Sequence, residues 1–143
     1  MTRFPVVLSA LAFLLSACCT VAAPPPPPPP PPAPMADCDA NPNPVYFGWD
    51  EDTLTGAASS AIAAMASDYG DCSFSLRGHT DSSGTSAYNM GLSERRVNRV
   101  AGALASNGVS DISTSYAGES ELAVETGDGV RNPDNRRVEV GVN

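Results

Sequence analysis

The stretch Cys72-Ser73-Phe74-Ser75-Leu76-Arg77-Gly78-His79-Thr80-Asp81-Ser82-Ser83-Gly84-Thr85 decides the fold, because its residue pattern changes partway along. From Cys72 to Arg77 apolar and polar residues alternate, so Cys72, Phe74 and Leu76 share one face, as in a half-buried strand. Gly78 is expected to end that strand. After the polar residues 79–85, Val97, Val100, Ala101 and Leu104 recur at helical spacing. A helix is therefore expected over residues 86–107, with Gly108 as its C-terminal stop.

Upstream, Val45-Tyr46-Phe47 is a short β-type run whose approach, Asn41-Pro42-Asn43-Pro44, is kept extended by its prolines. Leu54, Ala58, Ala61, Ile62 and Met65 then recur at helical spacing, with Thr53 or Thr55 as cap and Gly70 as stop. Downstream, residues 112–116 read as a third strand, followed by a Gly/Glu/Asp-rich loop over 117–134. Val138, Val140 and Val142 alternate with Arg137, Glu139 and Gly141 as a last strand. The order βαβα followed by ββ predicts an α/β sandwich, with helices packed on one side of a mixed four-stranded sheet.

The N-terminus has a different character. Arg3 precedes an apolar run of about eleven residues and then Leu15-Ser16-Ala17-Cys18, which reads as a secretory leader, too short for the ~20 residues of a membrane-crossing helix. Leu15-Ser16-Ala17-Cys18 resembles the bacterial lipobox, which implies cleavage after residue 17 and acylation of Cys18. Ordinary cleavage after Ala22 is the alternative. Several acyl chains on one cysteine would anchor it firmly, each buried CH₂ contributing ~0.8 kcal/mol. Residues 24–32 are all proline, continued by Ala33 and Pro34, and as polyproline II at ~3.1 Å per residue they span roughly 34 Å as a semi-rigid strut. The expected organisation is a leader (1–17), a lipidated linker (18–35) and one domain (36–143).

Net charge is -8, and every basic residue other than His79 is an arginine. This balance excludes nucleic acid as an expected partner and argues against long-range attraction to anionic lipid, so an anionic ligand must be met by locally placed arginines. With Cys18 and Cys19 in the linker, the domain holds Cys38 and Cys72. Export makes a disulfide between them the expected state, and two buried thiols are the alternative. Two cysteines and a single histidine do not make a four-ligand metal site, and no cofactor is expected.

The densest polar segment lies between the second strand and the second helix, where α/β folds gather ligands. On a helical wheel Asn89, Leu92 and Arg96 form one lip beside the buried stripe. Asp81 lies on the loop leading into the same helix, so an anion and a cation are expected to face each other across a cleft floored by Leu92. That arrangement suits a zwitterion. His79, Asp81 and Ser82 suggest a hydrolase triad, but they sit in one turn where no separate group can orient a base, so no catalytic residue is assigned.

Five pieces of the chain, namely Val45-Tyr46-Phe47, Gly78-His79-Thr80-Asp81, Tyr88-Asn89 with Leu92-Ser93-Glu94-Arg95-Arg96, Gly118-Glu119 and Asn135-Arg136-Arg137-Val138, resemble in order the motifs of the OmpA C-terminal, MotB and Pal family. They cover almost all of residues 45–142. The resemblance implies a domain that grips the meso-diaminopimelate of peptidoglycan stem peptides. It places Asp81 on the ammonium and Arg96 on the carboxylate, with Thr80, Asn89 and Leu92 shaping the pocket and Asp50 at its edge. One departure is visible: Gly48 stands where the family usually has Asp after the first-strand Phe.

The expected function is thus non-enzymatic: a lipoprotein on the periplasmic face of the outer membrane, tethering that membrane to the cell wall. A Pal-type lipoprotein with a Tol-system partner is the alternative, and a peptidoglycan hydrolase ranks below it.

Overall fold

A computed structural model describes residues 38–143, and the expected leader, Cys18 and polyproline linker lie outside them. The elements run β1 (Val45–Tyr46), α1 (Gly56–Tyr69), β2 (Phe74–His79), α2 (Ser86–Ser106), β3 (Ile112–Gly118) and β4 (Arg137–Val142), with a 3₁₀ turn at Pro133–Asn135 before the last strand. They form one four-stranded sheet in the order β1-β4-β2-β3, in which β2 and β3 are parallel and β4 is antiparallel to both its neighbours. This is the mixed α/β architecture expected. The last strand inserts between the first two, leaving β1 and β3 as the two edges of an open sheet.

Thr55, rather than Thr53, caps α1 by accepting from the Ala58 amide at 3.1 Å. Ile62, Met65 and Ala66 form the buried side of α1, whereas Ala61 faces solvent. α1 packs beside α2, and its Ile62, Met65 and Ala66 join the apolar cluster. α2 begins at Thr85, whose hydroxyl accepts from the Tyr88 amide at 3.3 Å, and buries Leu92, Val97, Val100 and Leu104. Of these, Val97, Val100 and Leu104 meet Phe74, Leu76, Val138, Val140 and Val142 in one apolar cluster. Truncating a fully buried member such as Leu104 to Ala costs about 2–5 kcal/mol, from lost transfer energy and the cavity left behind.

Two expectations for β2 are corrected. The strand starts at Phe74, because Cys72 is held in the turn after α1, its backbone N–H donating to the Tyr69 carbonyl at 2.9 Å. It also runs through Gly78, which pairs with both Val138 and Tyr116. Gly78 is a contact point rather than a stop: a Cβ there would meet the Ser93 carbonyl and the Val97 side chain at 2.6 Å, so the missing side chain lets α2 cross close over the strand. The polar loop therefore begins at Thr80. Cys38 and Cys72 are joined by a disulfide, with Cα atoms 5.6 Å apart, which fastens the chain entering the domain to the end of α1.

Candidate functional site

β2 ends at His79, and the turn that follows delivers Asp81 to a cavity of about 200 Å³ lined by Trp49, Asp50, Asp81, Ser83, Gly84, Tyr88, Leu92 and Arg131. That volume is below the ~300–1,000 Å³ that encloses a whole small molecule, so it fits a side-chain terminus better than a sugar ring. Asp81 is 4% exposed. One of its oxygens accepts from the Ser83 hydroxyl at 2.6 Å, and the other faces Arg136 Nη1 at 3.2 Å. The carboxylate is thus fixed in direction before any ligand arrives.

Asp50 comes from the turn after β1. Its φ of 57° is a left-handed conformation that Asp tolerates better than most residues, and its carboxylate accepts from the Tyr88 hydroxyl. This places a second carboxylate on the cavity although Gly48 replaces the family's usual Asp. Gly48 contributes through its backbone, its carbonyl accepting from Arg96 Nη2 at 3.0 Å.

Arg96 is 0% exposed and does not line the cavity. Its guanidinium donates to the carbonyls of Glu51 (2.8 Å), His79 (3.1 Å) and Gly48 (3.0 Å), and lies over the Phe47 ring at 5.2 Å. Burial lowers its pKa to about 10, while the Asp81 charge works in the opposite direction. The expected open confrontation of Asp81 and Arg96 is therefore an indirect one, with the cation beneath the 48–51 turn. Thr80 and Asn89 are also buried behind the lining. The Asn89 amide donates to the Asp81 carbonyl at 3.3 Å and to Glu119 at 2.6 Å, whereas Asn89 Oδ1 and Thr80 Oγ1 have no partner among the described residues. Of the residues expected at the site, Asp81, Asp50 and Leu92 reach the cavity directly.

Sequence reasoning assigned no role to Trp49, Ser83, Tyr88 or Arg131. Trp49 is the sole tryptophan of a chain only 6% aromatic, a signal that was available. It is 48% exposed and donates through Nε1 to Ser83 Oγ at 3.2 Å. Arg131 carried no local signal, since it sits in an irregular loop. Arg136 turns inward, donating to the Phe47 carbonyl at 3.1 Å as well as pairing with Asp81.

His79, Asp81 and Ser82 point to different partners. Ser82 Oγ donates to the Gly127 carbonyl at 2.7 Å, and buried His79 lies 3.6 Å from Glu139. Among the described residues the Ser82 hydroxyl is bonded to Thr126 and to backbone carbonyls, not to a base.

Residues 46–136 match the family model described as OmpA family. The chain is 38% identical over 107 residues to an outer membrane protein of Gluconacetobacter diazotrophicus, covering 67% of this chain but only 28% of that protein's length. It is 35% identical over 108 residues to the peptidoglycan-associated lipoprotein of Haemophilus influenzae, covering 72% of this chain and 71% of that one. Among solved structures, the peptidoglycan-associated lipoprotein of Burkholderia pseudomallei superposes with a TM-score of 0.62 at 25% identity, covering 70% of this chain and 89% of that one. The C-terminal domain of Helicobacter pylori MotB superposes with the same TM-score of 0.62 at 22% identity, covering 68% and 81%, a likeness of fold.

Proposed function

The chain belongs to the OmpA family, and on that premise we propose that its domain holds peptidoglycan non-covalently by the free end of meso-diaminopimelate, tethering the outer membrane to the cell wall. The observation that carries this reading is the preset Asp81 carboxylate lining a cavity sized for one side-chain terminus. The ligand's ammonium meets Asp81, with Asp50 as the second anion. Its carboxylate goes to Arg96, which keeps a second hydrogen on each Nη beyond those given to Gly48 and His79, and which is reached when the 48–51 turn yields. Thr80 Oγ1 and Asn89 Oδ1 are the unpaired polar atoms behind the lining, and Leu92 forms the apolar floor.

The reading is one of binding without turnover. A cell-wall zymogram with a clearing band that Asp81→Asn abolishes would overturn that part. The tether is completed by acylated Cys18 in the outer membrane and the polyproline strut, with the domain on the periplasmic side. A Pal-type lipoprotein with a Tol-system partner is the second reading, supported by the similarity to the Haemophilus lipoprotein and tested by co-purification.

The deciding experiment is calorimetry on the full-length protein in detergent, with stem peptides carrying diaminopimelate or lysine at the third position. Lysine keeps the ammonium and deletes the carboxylate, so affinity should fall about ten- to a hundredfold, as for a lost charge-assisted bond of roughly 1.5–3 kcal/mol. Equal affinities would remove Arg96 from the carboxylate role, and absence of binding to either would overturn the function.

A further inference from the structure

Arg131 lines the same cavity, with its guanidinium carbon 3.5 Å from the centre of the Trp49 ring. Every other arginine among the described residues is committed. Arg77, Arg95, Arg99, Arg136 and Arg137 pair with carboxylates, and Arg96 is buried against three carbonyls with its remaining hydrogens already assigned to the diaminopimelate side-chain carboxylate. Arg131 has neither kind of partner among the described residues, and it is exposed.

A separation of 3.5 Å is van der Waals contact, which a guanidinium reaches only with its plane against the ring. Stacked in this way it uses its face and leaves its in-plane N–H fork free to donate. The fork is also held in place. Ser82 Oγ accepts from the Val130 amide at 3.3 Å, the Gly129 amide donates to the Ser82 carbonyl at 2.9 Å, and Gly129 adopts φ 75°, a bend that favours glycine. On the other side of the stack, Ser83 anchors Trp49. Both halves of the stack are therefore fastened to the turn that presents Asp81.

We propose that Arg131, stacked on Trp49, is a second carboxylate subsite that takes the C-terminal carboxylate of the same stem peptide. This rests on the reading that the cavity receives diaminopimelate. The ligand's chemistry matches the layout: an uncrosslinked stem ending at diaminopimelate has a zwitterionic side-chain terminus and, one side chain's length away, a second carboxylate at the end of its backbone. In a protein of net charge -8, a single exposed fork beside two carboxylates rewards a ligand that brings both signs of charge. The subsite thereby favours uncrosslinked, trimmed stems over those whose terminus is blocked.

The test uses L-alanyl-γ-D-glutamyl-meso-diaminopimelate and the same tripeptide with only its C-terminal carboxylate converted to a carboxamide, titrated against the full-length protein by calorimetry and by the fluorescence of Trp49. The free acid is expected to bind about tenfold more tightly than the amide, and to change Trp49 emission as the carboxylate charge settles on the guanidinium stacked against the ring. Arg131→Gln should weaken the acid about tenfold, leave the amide unchanged, and keep the preference for diaminopimelate over lysine. Trp49→Ala, which removes the ring that orients the fork, should also reduce the acid-to-amide preference. If the unmutated protein binds acid and amide equally, or Arg131→Gln preserves the preference, the subsite is wrong while the diaminopimelate reading stands. If neither tripeptide binds, that reading falls and the subsite with it.

Discussion

Arg136 Nη1 stands 3.2 Å from Asp81 Oδ2, joining the residue just before β4 to the turn after β2. Side-chain exposures of 14% and 5% make this a largely desolvated pair, so either charge left alone would be costly. Arg136→Ala should therefore destabilise the domain by about 3 kcal/mol or more in chemical denaturation. Asp81→Asn keeps the shape and removes the charge, and should weaken diaminopimelate and lysine peptides alike. An Arg136→Ala protein as stable as the parent would show that the pair does not organise the site.

Arg96 is the test of a buried cation with two jobs. Alanine would strip the Glu51, His79 and Gly48 carbonyls of a donor together, so Arg96→Lys is the more informative variant, supplying charge without the planar fork. It should cost roughly 1.5–3 kcal/mol of stability and most of the preference for diaminopimelate over lysine. Unfolding curves and calorimetry read the two effects separately, and retention of full selectivity would contradict the assignment.

The Cys38–Cys72 disulfide closes a loop with a sequence separation of 34. In the chain-entropy picture this contributes roughly 3–4 kcal/mol, so Cys38→Ser with Cys72→Ser should lose that much. Thiol titration of the denatured, unreduced protein should find neither of these cysteines reactive. Alkylation of both, mapped by mass spectrometry, would disprove the bond.

His79 is expected to make stability depend on pH. Burial, reinforced by the Arg137 charge, holds its imidazole below the ordinary value of about 6.5, with Glu139 opposing. Above pH ~6.5 the ring is neutral in both folded and unfolded chains, and its full contribution is present. As pH falls below that value the unfolded chain takes up the proton first, so stability declines until the folded ring also protonates. His79→Gln removes this slope. The stability difference between parent and variant, measured from pH 7.5 to pH 4.5, should shrink on acidification, and a constant difference would refute it.

Cys18 is the proposed anchor. Cys18→Ala should release the protein from outer-membrane fractions, and unchanged fractionation would remove lipid from the tether.

Much of the architecture is written in local periodicity. The alternation of Phe74 and Leu76, the valines of β4 and the stripe of α2 each follow from which face a backbone repeat presents, a property of neighbours a few residues apart. The disulfide was legible from the two cysteines of the domain together with the expected leader. Gly78 misled because a glycine that punctuates a strand and one that admits a helix read alike; the difference lies in Ser93 and Val97 overhead.

At the site, Asp81 was legible because its turn connects two clearly patterned elements. The surroundings of the arginines were not. Arg96 meets a carbonyl 45 positions away in sequence, and Arg136 meets one 89 positions away. Whether a guanidinium faces solvent, a carbonyl or an aromatic ring depends on which distant segments close over it and remove its water. Periodicity assigns a residue to a face, and with that the strands, helices and core of this protein. The burial of Arg96, the pairing of Asp81 with Arg136 and the stacking of Arg131 on Trp49 arise only when β4 inserts between β1 and β2 and brings the 48–51 turn, the 81–84 turn and the loop before β4 to one end of the sheet, because desolvation and hydrogen-bond supply are set by contacts that no local pattern encodes.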